Sequence, residues 1–286
     1  MTRPLGLVIY RGPSQLDGRP IVAIATGLRS SSGNRKTGAM IQTWIMRADK
    51  APTEAARTGA DASVCGDCPH RGTVERGPGG RLRNVGRSCY VTLVKAPRAV
   101  FDAWRRGRYA TLPRGATPGA QHARRAALAA AGEGRIVRLG SYGDPAAVPA
   151  WVWRALLSRA AGRTGYTHQW RALEAQRPAA ADYFRGILMA SADTPEDRAA
   201  AESLGWRTFR VGSPTPPAAD ATGAPMRREI LCPASDEAGK RTTCERCQLC
   251  SGADGRGSVS VYLAPHGTAA RYAREREARR LPIVIG

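Results

Sequence analysis

Seven cysteines are the residues in this sequence most able to do chemistry. They fall in two groups: Cys65, Cys68 and Cys89, then Cys232, Cys244, Cys247 and Cys250. An odd number fits complete disulfide pairing badly. Two-residue spacers instead let neighbouring sulfurs converge on one metal centre. The second group has three cysteines in series and a fourth followed by Pro233, a register used for iron–sulfur clusters. A structural zinc held by four thiolates is the competing reading. The first group supplies three thiolates. His70 could complete a closed zinc site of three cysteines and one histidine. Alternatively, three thiolates hold a cluster with one iron open to a ligand.

Polar residues recur where short strands are expected to end. They are Ser141, Gly143 and Asp144; Thr167, His168 and Trp170; Ser191 and Asp193; Arg210; Cys232; and His266. A parallel sheet brings such ends to one mouth. Asp144, His168, Asp193 and Arg210 are the expected catalytic residues, with Arg210 suited to a carboxylate or phosphate. Asp144, His168, Asp193 and His266 could also hold a hydrolytic metal. Each has a plainer reading. Asp144 precedes a proline and suits a turn, Asp193 could cap a helix, and His168 could be a hydrogen-bonded core histidine.

The elements that must position these residues differ along the chain. Residues 21–27 and 40–47 read as short strands. The loop between them, SSSGNRKTG, lacks the Gly-Lys-Thr order of a Walker loop, although Arg35 and Lys36 could meet an anion. Residues 51–88 are rich in Gly, Pro and Arg, and 77–86 read as an exposed turn. Residues 97–109 read as a helix presenting Val100, Phe101 and Trp104 on one face, and 121–132 as an Ala/Arg helix. From 135 onward strands alternate with helices. Strands are expected over 135–145, the last residues forming a turn, and over 164–170, 186–193, 206–212, 229–235 and 258–267. Helices are expected over 148–161, 171–184 and 194–205, the last capped by Thr194. This pattern predicts an α/β fold: a partial or complete (β/α) barrel-like parallel sheet with Cys-rich metal-binding insertions. Two regions are expected, 1–130 with the first metal site and 131–286 with the barrel-like portion and the second. Residues 268–280 interleave Arg and Glu and read as a solvated helix.

Together these motifs resemble the radical S-adenosylmethionine (SAM) enzymes. Tyr142-Gly143-Asp144-Pro145 resembles that family's Gly-Gly-Glu-Pro turn, with Asp for Glu. Cys89-Tyr90 is similar to the aromatic beside its cluster cysteines, and Cys232 to Cys250 resembles a C-terminal auxiliary cluster. More narrowly, GSYGDP, YTHQW, GWRTFRV, CPA and CxxCxLC, over about 135–267, are similar to phage- and plasmid-borne Cys-rich barrel proteins related to that superfamily. The resemblance implies a [4Fe–4S] cluster on Cys65, Cys68 and Cys89. SAM would occupy the open iron, and Ser141, Gly143 and Asp144 would hold it. The cysteine spacing departs from the family's three residues then two: here it is two, then twenty.

Lys and Arg total 44 against 23 acidic residues, a net charge of +21. Such a balance points to a polyanion, most simply nucleic acid. Only Lys36, Lys50, Lys95 and Lys240 are lysines, and an arginine bias with many alanines also arises from a GC-rich genome. Aromatics make up only 6%, so base-stacking surfaces are not evident. No run of about 18 apolar residues exists, so no membrane helix is expected. No secretory signal is read either, which places the protein in the cytoplasm. The leading expectation is an iron–sulfur, radical-SAM-like enzyme acting on a nucleic acid or nucleotide. The alternatives are a zinc-stabilised nucleic-acid-binding protein and a metal-dependent hydrolase or nuclease.

Overall fold

The computed structural model describes residues 4–29, 34–212 and 227–265. Its centre is a ten-stranded sheet. The strands are β1 (Gly6–Pro13), β2 (Pro20–Thr26), β3 (Ile41–Arg47), β6 (Ala110–Thr111), β7 (Ile136–Tyr142), β8 (Gly162–Thr167), β9 (Met189–Ala192), β10 (Thr208–Val211), β11 (Glu229–Leu231) and β12 (Ser260–Leu263). Their order across the sheet is β11-β12-β10-β9-β8-β7-β3-β2-β1-β6. A separate hairpin pairs β4 (Thr73–Arg76) with β5 (Leu82–Val85).

From β3 through β7, β8, β9, β10, β12 and β11 every pairing is parallel, as the alternation predicts. The N-terminal part departs from a purely parallel sheet. β1, β2 and β3 form an antiparallel meander, β1 and β2 being joined by a short turn. β3 then pairs directly with β7, so one sheet runs across the expected boundary at residue 130. β11 and β6 are the two ends of the hydrogen-bonded order.

Helices α4 (Pro118–Gly132), α5 (Ala150–Leu157), α6 (Trp170–Gln176), α7 (Pro178–Ile187) and α8 (Pro195–Ser203) follow the periodic stretches. Thr194 caps α8, its hydroxyl accepting from Asp197 N at 3.0 Å. All five helices pack on one face of the sheet. There Val137, Leu139 and Ala190 meet Leu128, Trp153, Leu156, Leu173 and Phe184 in a continuous core. The expected strand over 186–193 begins later, because α7 continues through Ile187.

The other face carries the unusual part of the chain. There Val22, Ile24, Met46 and Tyr142 pack against Val100 and Phe101 of α3 (Ala96–Arg105). Further along, Met189 and Val261 pack with Cys232 and Cys250. The segment read as an exposed turn over 77–86 contains β5. Its pairing with β4 was hidden by a glycine-rich turn. The short helices α1 (Pro52–Thr58), α2 (Ala62–Cys65) and α9 (Cys244–Cys247) complete this layer. So α4 to α8 cover one face, and α3 with the cysteine-bearing segments covers the other. No helix among the described residues is long and apolar enough to cross a membrane.

Candidate metal centre

The first cysteine group sits on the carboxyl rim of the parallel strands. α2 is docked there by backbone bonds: Asp144 N donates to Val64 O, and Gln169 Nε2 donates to Cys65 O at 3.3 Å. The β1–β2 turn braces the same helix, Ser14 Oγ donating to Ser63 O at 2.7 Å. Gly66 follows at φ 54°, and a Cβ there would lie 2.3 Å from the Gln169 amide, so only glycine permits this close docking. Cys68 N closes back on Cys65 O at 3.2 Å. Cys89 returns from twenty residues away because its N–H donates to His70 O at 3.0 Å. Burial raises the Cys65 and Cys89 thiol pKa values, and for Cys65 nearby Asp61 and the other two sulfurs add to the rise. The three thiols therefore share one electrostatic environment. At Cys65 and Cys89 burial favours the protonated thiol unless a cation takes the proton's place.

Strand ends β7, β8 and β9 bring Asp144, His168 and Asp193 to this loop. Asp144 Oδ1 accepts from Ala146 N at 2.9 Å and from Thr167 Oγ1 at 2.8 Å, while Oδ2 accepts from His168 N at 2.8 Å. Its buried carboxylate braces the turn and holds the residue that precedes α6. Burial raises its pKa, against these hydrogen bonds. Of its expected roles, the turn residue is the one its contacts express.

His168 faces two partners with one nitrogen. Its Nε2 lies 3.9 Å from Cys68 Sγ and 3.5 Å from Asp193 Oδ2. Asp193 Oδ1 lies 2.9 Å from His70 Nε2, and His70 Nδ1 lies 2.8 Å from Ser88 Oγ. Donor atoms of His70, His168 and Asp193 all fall within 4.8 Å of one another. Burial would lower the His168 pKa, but the Cys68 sulfur and Asp193 carboxylate overrule it and raise it well above the usual value. Burial likewise works against ionisation of Asp193, yet both histidines hold its pKa far below the usual carboxylate range. A nucleophilic Cys–His–Asp relay needs sulfur and carboxylate on opposite ring nitrogens. Here both face Nε2, an arrangement suited to surrounding a cation.

Beside these thiols lie buried polar atoms without a hydrogen-bond partner: Arg87 Nη1 and Nη2, the Tyr142 hydroxyl and Asp61 Oδ2. Asp61 is ion-paired to Arg71 at 2.8 Å and to Arg87 at 3.6 Å. Tyr142 feels Cys65, Asp61, Arg87 and Cys89, although burial is the main cause of its raised pKa. Buried donors of this kind normally find acceptors. Among the described residues Arg87 Nη2 and the Tyr142 phenol have no acceptor, and Arg87 Nη1 has only the Asp61 carboxylate at 3.6 Å; donors so placed beside these thiols fit an anionic, sulfur-rich group held by those cysteines.

The second cysteine group assembles on the same face further along the sheet. Cys232 follows β11, with its N–H donating to Tyr262 O at 2.8 Å. Cys244 and Cys247 stand at the two ends of α9, and Gly165 N donates to Cys250 O at 2.9 Å. Burial first, then the other three sulfurs, push the Cys250 thiol up to about 12. The loop carrying Lys36 supports this group: Cys244 N donates to Lys36 O at 2.9 Å. Between the groups Arg138 Nη2 donates to the hydroxyl of Tyr90, which follows Cys89, at 3.0 Å. The Arg138 guanidinium also stands 6.0 Å from the Tyr166 ring. Among the described residues, no three of the seven sulfurs lie within 4.8 Å of one another.

The remaining expected site residues lie apart or are otherwise engaged. Arg210 is buried and bound to Glu229 at 2.8 Å, within a network that includes Arg198 and Glu202. Ser141 donates to Gln42 Oε1. Gly143 has φ 80°, and a Cβ would lie 2.6 Å from Ile45 O. His266 and residues 268–280 lie outside the described residues. His70, one candidate for a fourth ligand, has its ring nitrogens against Asp193 and Ser88, while His168 faces Cys68. Arg87 and Tyr142 escaped sequence reading, although one lies two residues before Cys89 and the other opens the quoted turn. A cleft of about 210 Å³ reaches the site past Asp67, Pro69, Trp170 and Arg171.

Comparison with protein-family models, curated proteins and solved structures found no match to this chain.

Proposed function

We propose that this chain is an iron–sulfur enzyme whose reactive centre lies at the carboxyl rim of β7, β8 and β9. Cys65, Cys68 and Cys89 hold the cluster. Three thiolates leave one iron able to take a ligand, and such a centre supplies one-electron chemistry. The observation that carries the proposal is the set of unsatisfied buried donors, Arg87 and the Tyr142 hydroxyl, beside these three thiols. The chain's own residues then have distinct tasks. Arg87 and Tyr142 donate to the cluster's sulfur, Asp144 fixes the rim, and His168 with Asp193 lines the approach from the cleft. Cys232, Cys244, Cys247 and Cys250 hold a second centre, closed by its four thiolates, with Arg138 and Tyr90 bridging toward the first. By the resemblance to the radical SAM enzymes, a cluster on Cys65, Cys68 and Cys89 would bind SAM as its further ligand. Asp144 accepts three hydrogen bonds from its own surroundings, so the proposal does not assign it the cofactor's ammonium. The test is electron paramagnetic resonance of the reduced protein with and without SAM. A SAM-dependent change in the cluster signal, lost in Cys65→Ala, supports the proposal. An unchanged signal removes SAM from it.

A second reading has its own observation. The mutual reach of His70, His168 and Asp193 suits one divalent metal with open positions, as in metal-assisted hydrolysis. Hydrolysis activated by added manganese in a protein free of iron and sulfide would favour it.

A further inference from the structure

We infer that a groove at the β1–β6 edge of the sheet binds a single strand of nucleic acid by stacking its bases and pairing its phosphates. The groove has a volume of about 460 Å³ and is formed by the end of β1, the chain after β6, α3 and the start of α5. Two indoles line it, Trp104 from α3 and Trp151 from α5, the latter 36% exposed. Arg11 and Arg114 line it as well, and among the described residues no carboxylate does. The guanidinium of Arg11 stands 6.0 Å from the Trp104 ring, with that of Arg105 at 5.9 Å. Exposed Arg106 and Arg108 continue the basic surface beyond α3. Arg124 holds the loop that forms one wall, donating to Gly115 O at 2.6 Å.

Each part of this arrangement has a physical use. An exposed indole is a stacking platform for an unpaired base, and stacking tolerates any sequence. Arginines beside it neutralise the phosphates that flank a stacked base. A duplex presents no free base faces to such a site, and an acidic peptide would use the arginines but not the indoles. The charge of +21 by itself names no site. The groove does, because it combines two aromatic surfaces with cations and, among the described residues, lacks opposing acids.

Its position adds to the argument. β1 pairs parallel to β6 and antiparallel to β2, β2 is antiparallel to β3, and β3 is parallel to β7. The ends of β1 and β6 therefore face the same rim as the ends of β7, β8 and β9. The β1–β2 turn joins the two regions, Gln15 N donating to Ala147 O at 2.9 Å just beyond Asp144. A bound strand would lie along the rim that carries Cys65, Cys68 and Cys89. The binding itself does not depend on which metal those cysteines hold.

The test uses the full chain and fluorescein-labelled oligo-dT and oligo-U of equal length, with anisotropy read at several salt concentrations. Arg11→Glu with Arg114→Glu is expected to weaken binding at least tenfold. It should also flatten the log–log salt slope by roughly 1.4, for two lost phosphate contacts. Trp151→Ala is expected to weaken binding about fivefold or more with the slope unchanged. Its indole is partly exposed, so the variant should retain the circular dichroism of the parent. Arg81→Glu with Arg83→Glu, on the β4–β5 hairpin, makes the same charge change elsewhere and should cost less than about threefold. Tighter binding of either strand supports the inference and identifies its sugar. Equal losses in the two double variants, an unaffected Trp151→Ala, or displacement by polyglutamate as efficient as by unlabelled strand would each overturn it. Absence of binding at low salt, or assembly into dimers that hides the groove, would overturn it too.

Discussion

Tyr142→Phe tests the site through a change of sign. Tyr142 is 2% exposed, and its hydroxyl has no hydrogen-bond partner among the described residues. A hydroxyl buried without a partner costs about 1–3 kcal/mol. Phenylalanine keeps the ring against Val22, Ile24 and Phe101 while removing that cost. In metal-free protein the substitution should therefore stabilise, by about 1–2 kcal/mol after allowing for local relaxation. For a chain of this size that is roughly 2–4 °C in the unfolding midpoint. In protein loaded with a cluster on Cys65, Cys68 and Cys89, the hydroxyl has a sulfur acceptor. The same substitution then removes a useful hydrogen bond and should destabilise by about 0.5–1.5 kcal/mol. The assay is thermal unfolding of parent and variant, each chelated and each anaerobically reconstituted. Opposite signs in the two states support the assignment. The same sign in both would refute the claim that this hydroxyl faces the bound group.

Three further outcomes follow from the contacts. Thr167→Val removes a donor from the buried Asp144 carboxylate and an acceptor from Gln169 N, and should cost about 2–3 kcal/mol in urea unfolding. Arg207 donates to the carbonyls of Leu249, Gly252, Arg256 and Val259, clamping the loop around Cys250. Arg207→Lys should cost about 2–4 kcal/mol and release metal from the second cysteine group before the first, read by metal analysis during chelation. Asp193→Ala leaves His70 and His168 without their shared carboxylate. On the iron–sulfur reading it should keep full iron and sulfide content, and loss of the cluster in this variant would make Asp193 a ligand.

The sequence exposed some of this structure and hid the rest for identifiable reasons. The alternation from residue 135 was readable because each helix carries its own apolar period and cap, as Thr194 shows. The polar strand ends at Asp144, His168 and Asp193 were readable because parallel strands share a rim. Their pairings were not. Asp193 could have capped α8, but Thr194 does so, which leaves the Asp193 carboxylate to the histidines. His70 looked like the fourth ligand by proximity in sequence. Its backbone carbonyl binds Cys89 N, while its ring turns to Asp193. Arg210 looked like a substrate anchor, but Glu229 on the neighbouring short strand neutralises it. Few aromatics argued against stacking surfaces. Trp104 and Trp151, far apart in sequence, are brought to one groove by tertiary structure.

The measurement that bears most directly on the central claim is iron, acid-labile sulfide and zinc content after anaerobic purification, with the absorption spectrum of the same sample. The account predicts iron and sulfide in near-equal amounts, enough for two centres. Cys65→Ala should lose about half of both while Cys232→Ala loses the other half. A colourless protein with one tightly held zinc per cysteine group, and no sulfide, would contradict it.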